Sequence, residues 1–243
     1  MAIWLFDEGT GKKVNDFARN GHDGEFSGKP EWVPGKFGTG LEFAGADDNQ
    51  WVDIERPVVV DTVDFSIGCW LLPGAPQHWH QHPLSGRPAD NSDEGIAIAQ
   101  FENAVNSYRI SIGGVFNWEG LGNPRNTAKL KQDEWTHLVF VRKGKGGTWY
   151  KNGEPDRPKR GNHYINIGNE NPVNATEQNF RIGAASFDDL RRYRGVIDEA
   201  FVFERALSQA EVQRIMNEGL QEAQSVGSRG KASTVWGRIK SPD

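Results

Sequence analysis

Residues 134–154, EWTHLVFVRKGKGGTWYKNGE, decide the fold. Trp135, His137, Val139 and Val141 fall on one face of an extended chain, and Thr136, Leu138, Phe140 and Arg142 fall on the other. Apolar groups therefore appear on both faces, the mark of a strand buried on both sides. The Gly-Lys-Gly-Gly turn at 144–147 returns the chain into Thr148, Trp149 and Tyr150, and Asn152-Gly153 supplies the positive-φ pair of a tight hairpin turn.

A second stretch, YRGVIDEAFVFERALSQAEVQRIMNEGL at 193–220, adds a last strand and a helix. Val196 to Phe203 is rich in β-branched and aromatic residues. Ser208 and Glu211 form a capping box, with Leu207 and Val212 at the staple positions around it. Val212, Ile215 and Met216 share a helical face, and Gly219 is the expected stop.

In order, WTHLVFV, YKNG and GVIDEAFVFERALSQAEV resemble the laminin-G-like, concanavalin A-like jelly-roll family related to pentraxins. The amino-terminal half carries the same resemblance in WLFDEGTG at 4–11, VNDFARNGHDG at 14–24, GKFGTGLEFAG at 35–45 and DFSIGCWL at 64–71. The match covers about residues 3–220. It implies an all-β fold: an antiparallel two-sheet β-sandwich, the concanavalin A-like jelly roll, with one short C-terminal helix. Such sandwiches host lectins, adhesion modules, enzyme appendages and a few enzymes, so function must come from the site.

At 243 residues, without an internal repeat or a linker before about residue 221, the chain reads as one domain over 1–220. The tail, 221–243, is rich in Gly, Ser and Lys until Trp236 and Ile239, and is expected to dock as an extra strand or to be disordered. Mean hydropathy is −0.66, yet nine Trp and thirteen Phe can fill a core with few residues. A net charge of −5 argues against nucleic acid or an anionic membrane surface as the main partner. The basic run Arg157-Pro158-Lys159-Arg160 reads as a solvated loop. The single Cys69 excludes an internal disulfide and shares a strand face with Phe65, Ile67 and Leu71, as an inert buried thiol does. No run of eighteen apolar residues exists, so membrane insertion is not expected. The start at Met1-Ala2, directly before a strand, reads as a chain from which a leader has been cut, and the family resemblance implies secretion or display at the cell surface.

Strands are expected near 3–6, 40–44, 51–55, 64–72, 83–85, 95–101, 107–112, 135–143, 147–151, 180–184 and 195–203. Long loops are expected at 73–94, 113–130 and 154–179. Sites for sugars combine aromatics with Asn, Asp, Arg and His, because sugars present apolar ring faces and fixed hydroxyls. The loops hold that mixture: Trp79 with His78, His80 and Arg87; Asn117, Trp118 and Arg125; His163, Tyr164 and Asn166. A polysaccharide or glycoconjugate is the expected partner, with a protein as the alternative. The competing role for Trp79 and Trp118 is to plug their own loops.

A hydrolase of this architecture needs two carboxylates about 5 to 9 Å apart across a cleft. The pattern E-x-D-x-E is absent, and Asp198 and Glu199, adjacent on a strand, should point to opposite faces. No G-x-S-x-G, H-E-x-x-H or P-loop occurs. The expectation is a non-catalytic recognition module; the alternatives are a glycoside hydrolase or polysaccharide lyase, and a protein-binding scaffold. The resemblance implies a structural calcium ion on the rim, and first and last strands that neighbour each other would bring Asp7, Asp16 and Asn20 toward Asp198. Asp16, Asn20 and Asp23 as turn formers, with Asp198 on backbone amides, is the competing reading. Two weaker metal candidates are DNSDEG at 90–95, for calcium, and His78, His80 and His82, for zinc or copper. The histidine run otherwise reads as a polar loop, and His137 as a satisfied core histidine.

Overall fold

The computed structural model describes residues 1–45, 49–75, 80–86, 95–101, 107–112, 115–116, 130–156, 165–166, 179–186 and 191–236. In chain order the strands begin β1 (Ala2–Trp4), β2 (Lys13–Val14), β3 (Gly24–Ser27), β4 (Glu31–Pro34), β5 (Thr39–Ala44) and β6 (Trp51–Ile54). There follow β7 (Phe65–Pro73), β8 (His80–Gly86), β9 (Ile96–Phe101), β10 (Ser107–Ile112), β11 (Val115–Phe116) and β12 (Thr136–Lys143). The last are β13 (Gly146–Lys151), β14 (Glu154–Pro155), β15 (Ile165–Asn166), β16 (Arg181–Ile182) and β17 (Arg194–Phe203), before helix α1 (Gln209–Trp236).

The first sheet runs β14-β13-β12-β7-β17-β5-β4, with β1 on β17 and β15 on β13. The second runs β11-β10-β9-β8-β16-β6-β3-β2. The described strand pairings are antiparallel. First and last strands meet as expected, with Ile3 opposite Phe201.

Both faces of the central strands are buried, each against a different layer. Ile67, Cys69 and Leu71 of β7, Leu138 and Phe140 of β12, and Ile197 and Val202 of β17 join Leu84, Ile98, Ile110 and Ile182 of the second sheet. That cluster is the core between the sheets. On the outer side, Val139, Val141, Phe201 and Phe203 are buried with Leu207, Val212, Ile215 and Leu220. The helix is thus the third layer, and each large apolar side chain it covers contributes about 1.5–3 kcal/mol.

The local signals form as their chemistry requires. Lys143 pairs Gly146 across a two-residue turn, whose Gly144 amide donates to Asp64 at 2.8 Å. Asn152 and Gly153 take φ of 50° and 76°. The Ser208 amide donates to Glu211 Oε2 at 2.8 Å, closing the capping box. Gly219 leaves helical geometry at φ 78°, ψ 165°.

Three expectations are corrected. Beyond Gly219 the chain is helical again through Trp236, where a docked strand or disorder was expected of the tail. Within 73–94, β8 begins at His80 instead of 83, so His80, read as a loop residue, pairs Phe101 in the second sheet. His82 on the same strand is buried, and the register shifts between Gln81 and Leu84. Finally β2, β3 and β4 add strands where none was expected. They are short and partly exposed, and so lack the apolar run that marks a buried strand. Among the described residues no helix is long and apolar enough to cross a membrane.

Candidate functional site

The outer face of the first sheet is organised by a defect in β17. Asp198 stands opposite Trp70 and Phe201 opposite Gly68, so three steps on β17 match two on β7. This is a β-bulge, and Glu199 within it has φ 52°. The extra residue breaks the alternation that was to send Asp198 and Glu199 to opposite faces, and both carboxyls meet the segments covering the sheet. Asp198 Oδ2 accepts from the amides of Lys36 at 2.8 Å and Phe37 at 3.0 Å. Glu199 Oε2 accepts from the Leu220 amide just past the helix break. At Gly219 a side chain would meet both Glu199 Oε2 and the Phe37 ring, at 3.4 and 3.5 Å.

Asp7 joins this corner through the same turn, accepting from the Thr39 amide at 3.2 Å. Gly38 has φ 52°, and a Cβ there would lie 1.9 Å from Asp7 Oδ1. Burial pushes the Asp198 carboxyl up to about 7, against the pull of its amide donors and with a further rise from Asp7. Burial likewise pushes Glu199 up to about 8, opposed by the Leu220 amide and reinforced by Asp198 and Asp7. Beside them Lys36 Nζ lies 4.6 Å from the centre of the Trp70 ring, and His137 packs 5.1 Å from the same ring. His137 is not the satisfied histidine expected: neither ring nitrogen has a partner among the described residues, and burial pushes its pKa down to about 3. Cys69 is buried and free, its thiol pushed far up by burial and by Asp198.

The four residues named for calcium fall in two places. Asp7 and Asp198 share the turn at 35–39. Asp16 instead captures four backbone amides, those of Ile3, Ala18, Asn20 and His22, while Asn20 Nδ2 donates to the Met1 carbonyl. Among the described residues no three His, Cys, Asp or Glu side chains gather as a metal cage, and these carboxylates do not form one donor set. DNSDEG, apart from Gly95, lies outside the described residues, as does His78.

The second sheet presents an outward row of polar side chains. Val52, Ile54 and Ile182 point into the core, so Trp51, Asp53 and Arg181 face away from it. Arg181 Nε donates to Asp53 Oδ1 at 2.8 Å, Trp51 Nε1 donates to Asp53 Oδ2 at 2.7 Å, and the guanidinium lies 4.4 Å over the Trp51 ring. Glu25 pairs Asp53 and Lys13 pairs Glu25, so the row crosses four strands, and at its inner end Ser85, opposite Arg181, is buried with its hydroxyl against Ser186 Oγ. Trp51 is covered and serves as a platform for the guanidinium; Asp53 is half exposed.

The ligand-binding residues expected from the loops, Trp79, His78, Arg87, Asn117, Trp118, Arg125, His163 and Tyr164, lie outside the described residues, and His80 is placed by its backbone. The row itself was missed, though a signal existed. In the expected strand 51–55, Trp51 and Asp53 alternate with Val52 and Ile54, which puts them together on the face opposite the apolar one.

Comparison with known proteins gives relatives in fold. Domain 4 of AbnA, a GH43 extracellular arabinanase from Geobacillus stearothermophilus solved with arabinotriose, is similar with a TM-score of 0.62 at 18% identity, over 89% of this chain and 97% of that domain. The Trypanosoma rangeli sialidase in complex with the inhibitor DANA is similar with a TM-score of 0.58 at 15% identity, over 88% of this chain and 32% of that one. The binding domain of Paraclostridial Mosquitocidal Protein 1 is similar with a TM-score of 0.62 at 15% identity, over 89% of this chain and 51% of that one. The chain therefore spans about a third of the sialidase and half of the toxin chain. No curated protein matches it. The family model Laminin_G_3 matches residues 45–213, and by that match the chain belongs to the concanavalin A-like lectin/glucanases superfamily.

Proposed function

We propose that this chain is a secreted or cell-surface, non-catalytic module that binds a polysaccharide or glycoconjugate. The row Arg181, Asp53 and Glu25 on the second sheet carries the proposal. Arg181, Asp53 and Trp51 hold one another in place, so these donors and acceptors are ordered before a chain of fixed hydroxyls meets them. Family membership and the arabinotriose complex of one fold relative agree with a glycan partner. The loop residues around Trp79 and Trp118 are the other contacts this reading expects.

The hydrolase or lyase alternative needs a reachable pair of carboxylates. Asp198 and Glu199 are buried and bonded to backbone amides, which removes them from a substrate's reach. Glu25 stands opposite Asp53 on the open face, with Asp53 already committed to Arg181 and Trp51. Incubation with any glycan bound, followed by assay for released reducing ends, tests that alternative.

A glycan array read with and without calcium tests the proposal. Binding should fall at least tenfold in Arg181→Ala and Asp53→Ala. If no glycan binds, while Trp79→Ala and Trp118→Ala each cost roughly 3 kcal/mol as core residues do, the assignment moves to a protein-binding scaffold.

A further inference from the structure

On the outer face of the first sheet one ammonium group lies over Trp70, and two further aromatic rings flank that indole. Trp70 is the floor: its ring centre lies 6.4 Å from that of Phe37 at 66° and 6.5 Å from that of Trp135 at 84°. Phe37 comes from the turn fastened to β17, and Trp135 from the entry to β12, so the two near-perpendicular walls rise on opposite sides of β7. Lys36 Nζ lies over the floor, 4.6 Å from its centre. Among the described residues Lys36 has no carboxylate partner, and its ammonium is held by the ring face itself.

The surroundings suit a cation. Asp7 reaches the turn that carries Lys36 through the Thr39 amide, and Asp198, directly opposite Trp70 in the sheet, and Glu199 bring no positive charge. His137, packed beside the floor, is uncharged near neutrality and does not repel. Lys36 is itself exposed, and its turn is fixed through its backbone amide to Asp198. The four-carbon side chain can therefore swing into water while the turn and Phe37 stay in place.

We propose that Phe37, Trp70 and Trp135 form a binding box for a small organic ammonium, which Lys36 fills when no ligand is present. A methylated ammonium competes best, since it is more weakly hydrated than the ε-ammonium it displaces and gives up less on entering an aromatic box. The box lies on the sheet opposite the Arg181 row, so it stands whether or not the glycan reading does.

Titration of tetramethylammonium chloride and of choline chloride, at constant ionic strength and followed by tryptophan fluorescence, tests this in the wild type, Lys36→Ala and Trp135→Phe. Removing the tethered competitor should tighten tetramethylammonium binding at least threefold in Lys36→Ala, and sodium chloride at equal concentration should leave the signal unchanged. Trp135→Phe keeps a weaker aromatic wall and should bind more weakly than the wild type. Choline binding in parallel extends the box to hydroxyethyl-bearing ligands; tetramethylammonium alone restricts it to compact ones. No saturable change in Lys36→Ala, or equal affinity in all three proteins, would overturn the proposal.

Discussion

The Asp198–Glu199 bulge makes stability fall as pH rises across neutrality. In the unfolded chain the two side chains ionise near 3.8 and 4.5, whereas in the folded protein burial holds them to about 7 and about 8. Between these limits the folded state keeps protons the unfolded state has lost. The stabilisation is complete below about pH 4, declines above it, and is lost as pH passes through 7 and 8. Each pH unit of displacement is worth about 1.4 kcal/mol. Treated as one coupled pair, the bulge accounts for on the order of 4 kcal/mol. For a chain of this size that is about 8–16 °C in melting temperature. Thermal melts from pH 5.5 to 9 on the wild type and on Glu199→Gln isolate the effect, because Gln still accepts from the Leu220 amide but does not ionise. The variant's profile should be flatter and should cross above the wild type at alkaline pH. A wild-type melt that stays level or rises over this range, or a variant that tracks it in parallel, refutes the account.

Other outcomes follow from single contacts. Gly38→Ala should cost about 1–3 kcal/mol, because its Cβ would press on Asp7 Oδ1 at a positive φ; chemical denaturation measures it. Cys69 should resist thiol reagents in the native protein and react once per chain after denaturation, since burial holds it protonated. Ser208→Ala should lose about 1 kcal/mol, because Ser208 Oγ accepts from the Glu211 amide in the capping box. Calcium stays a proposal: a rim ion at a hundred times its dissociation constant adds about 2.7 kcal/mol, so EGTA should lower the melt. An unchanged melt with no metal by elemental analysis ends it. Asp198→Ala cannot serve as that test, because the same carboxylate holds the amides of Lys36 and Phe37.

What was legible in the chain was whatever one residue's neighbours determine. Two-faced apolarity in β7 and β12, the hairpin glycines and the capping box depend on short spacing, and each formed where its chemistry put it. The second helical segment hid because Gly227, Gly230 and its serines lower helix propensity over the stretch where Leu220 and Ala223 still find apolar contacts on the sheet. The candidate calcium ligands were the right residue types, but which amides capture each carboxylate is a tertiary matter, and it separated Asp16 from Asp198.

The bulge is the sharpest case of what spacing cannot reach. Adjacent carboxyls on a strand diverge only while the register is uniform, and uniform register is a property of two strands, not of one. The Cβ-less Gly68 lets Phe201 and Val139 close over β7, each within 3 Å of where a Cβ would sit. With Trp70 across from Asp198 and Gly68 across from Phe201, the span between them on β17 must absorb one residue more than β7 supplies. Glu199 absorbs it at positive φ, and its carboxyl turns toward the helix break instead of the inter-sheet core. Charge in that core would have had no amide from Leu220 to meet it, so the same irregularity that defeats the alternation rule is what allows a second acidic residue to stand beside Asp198.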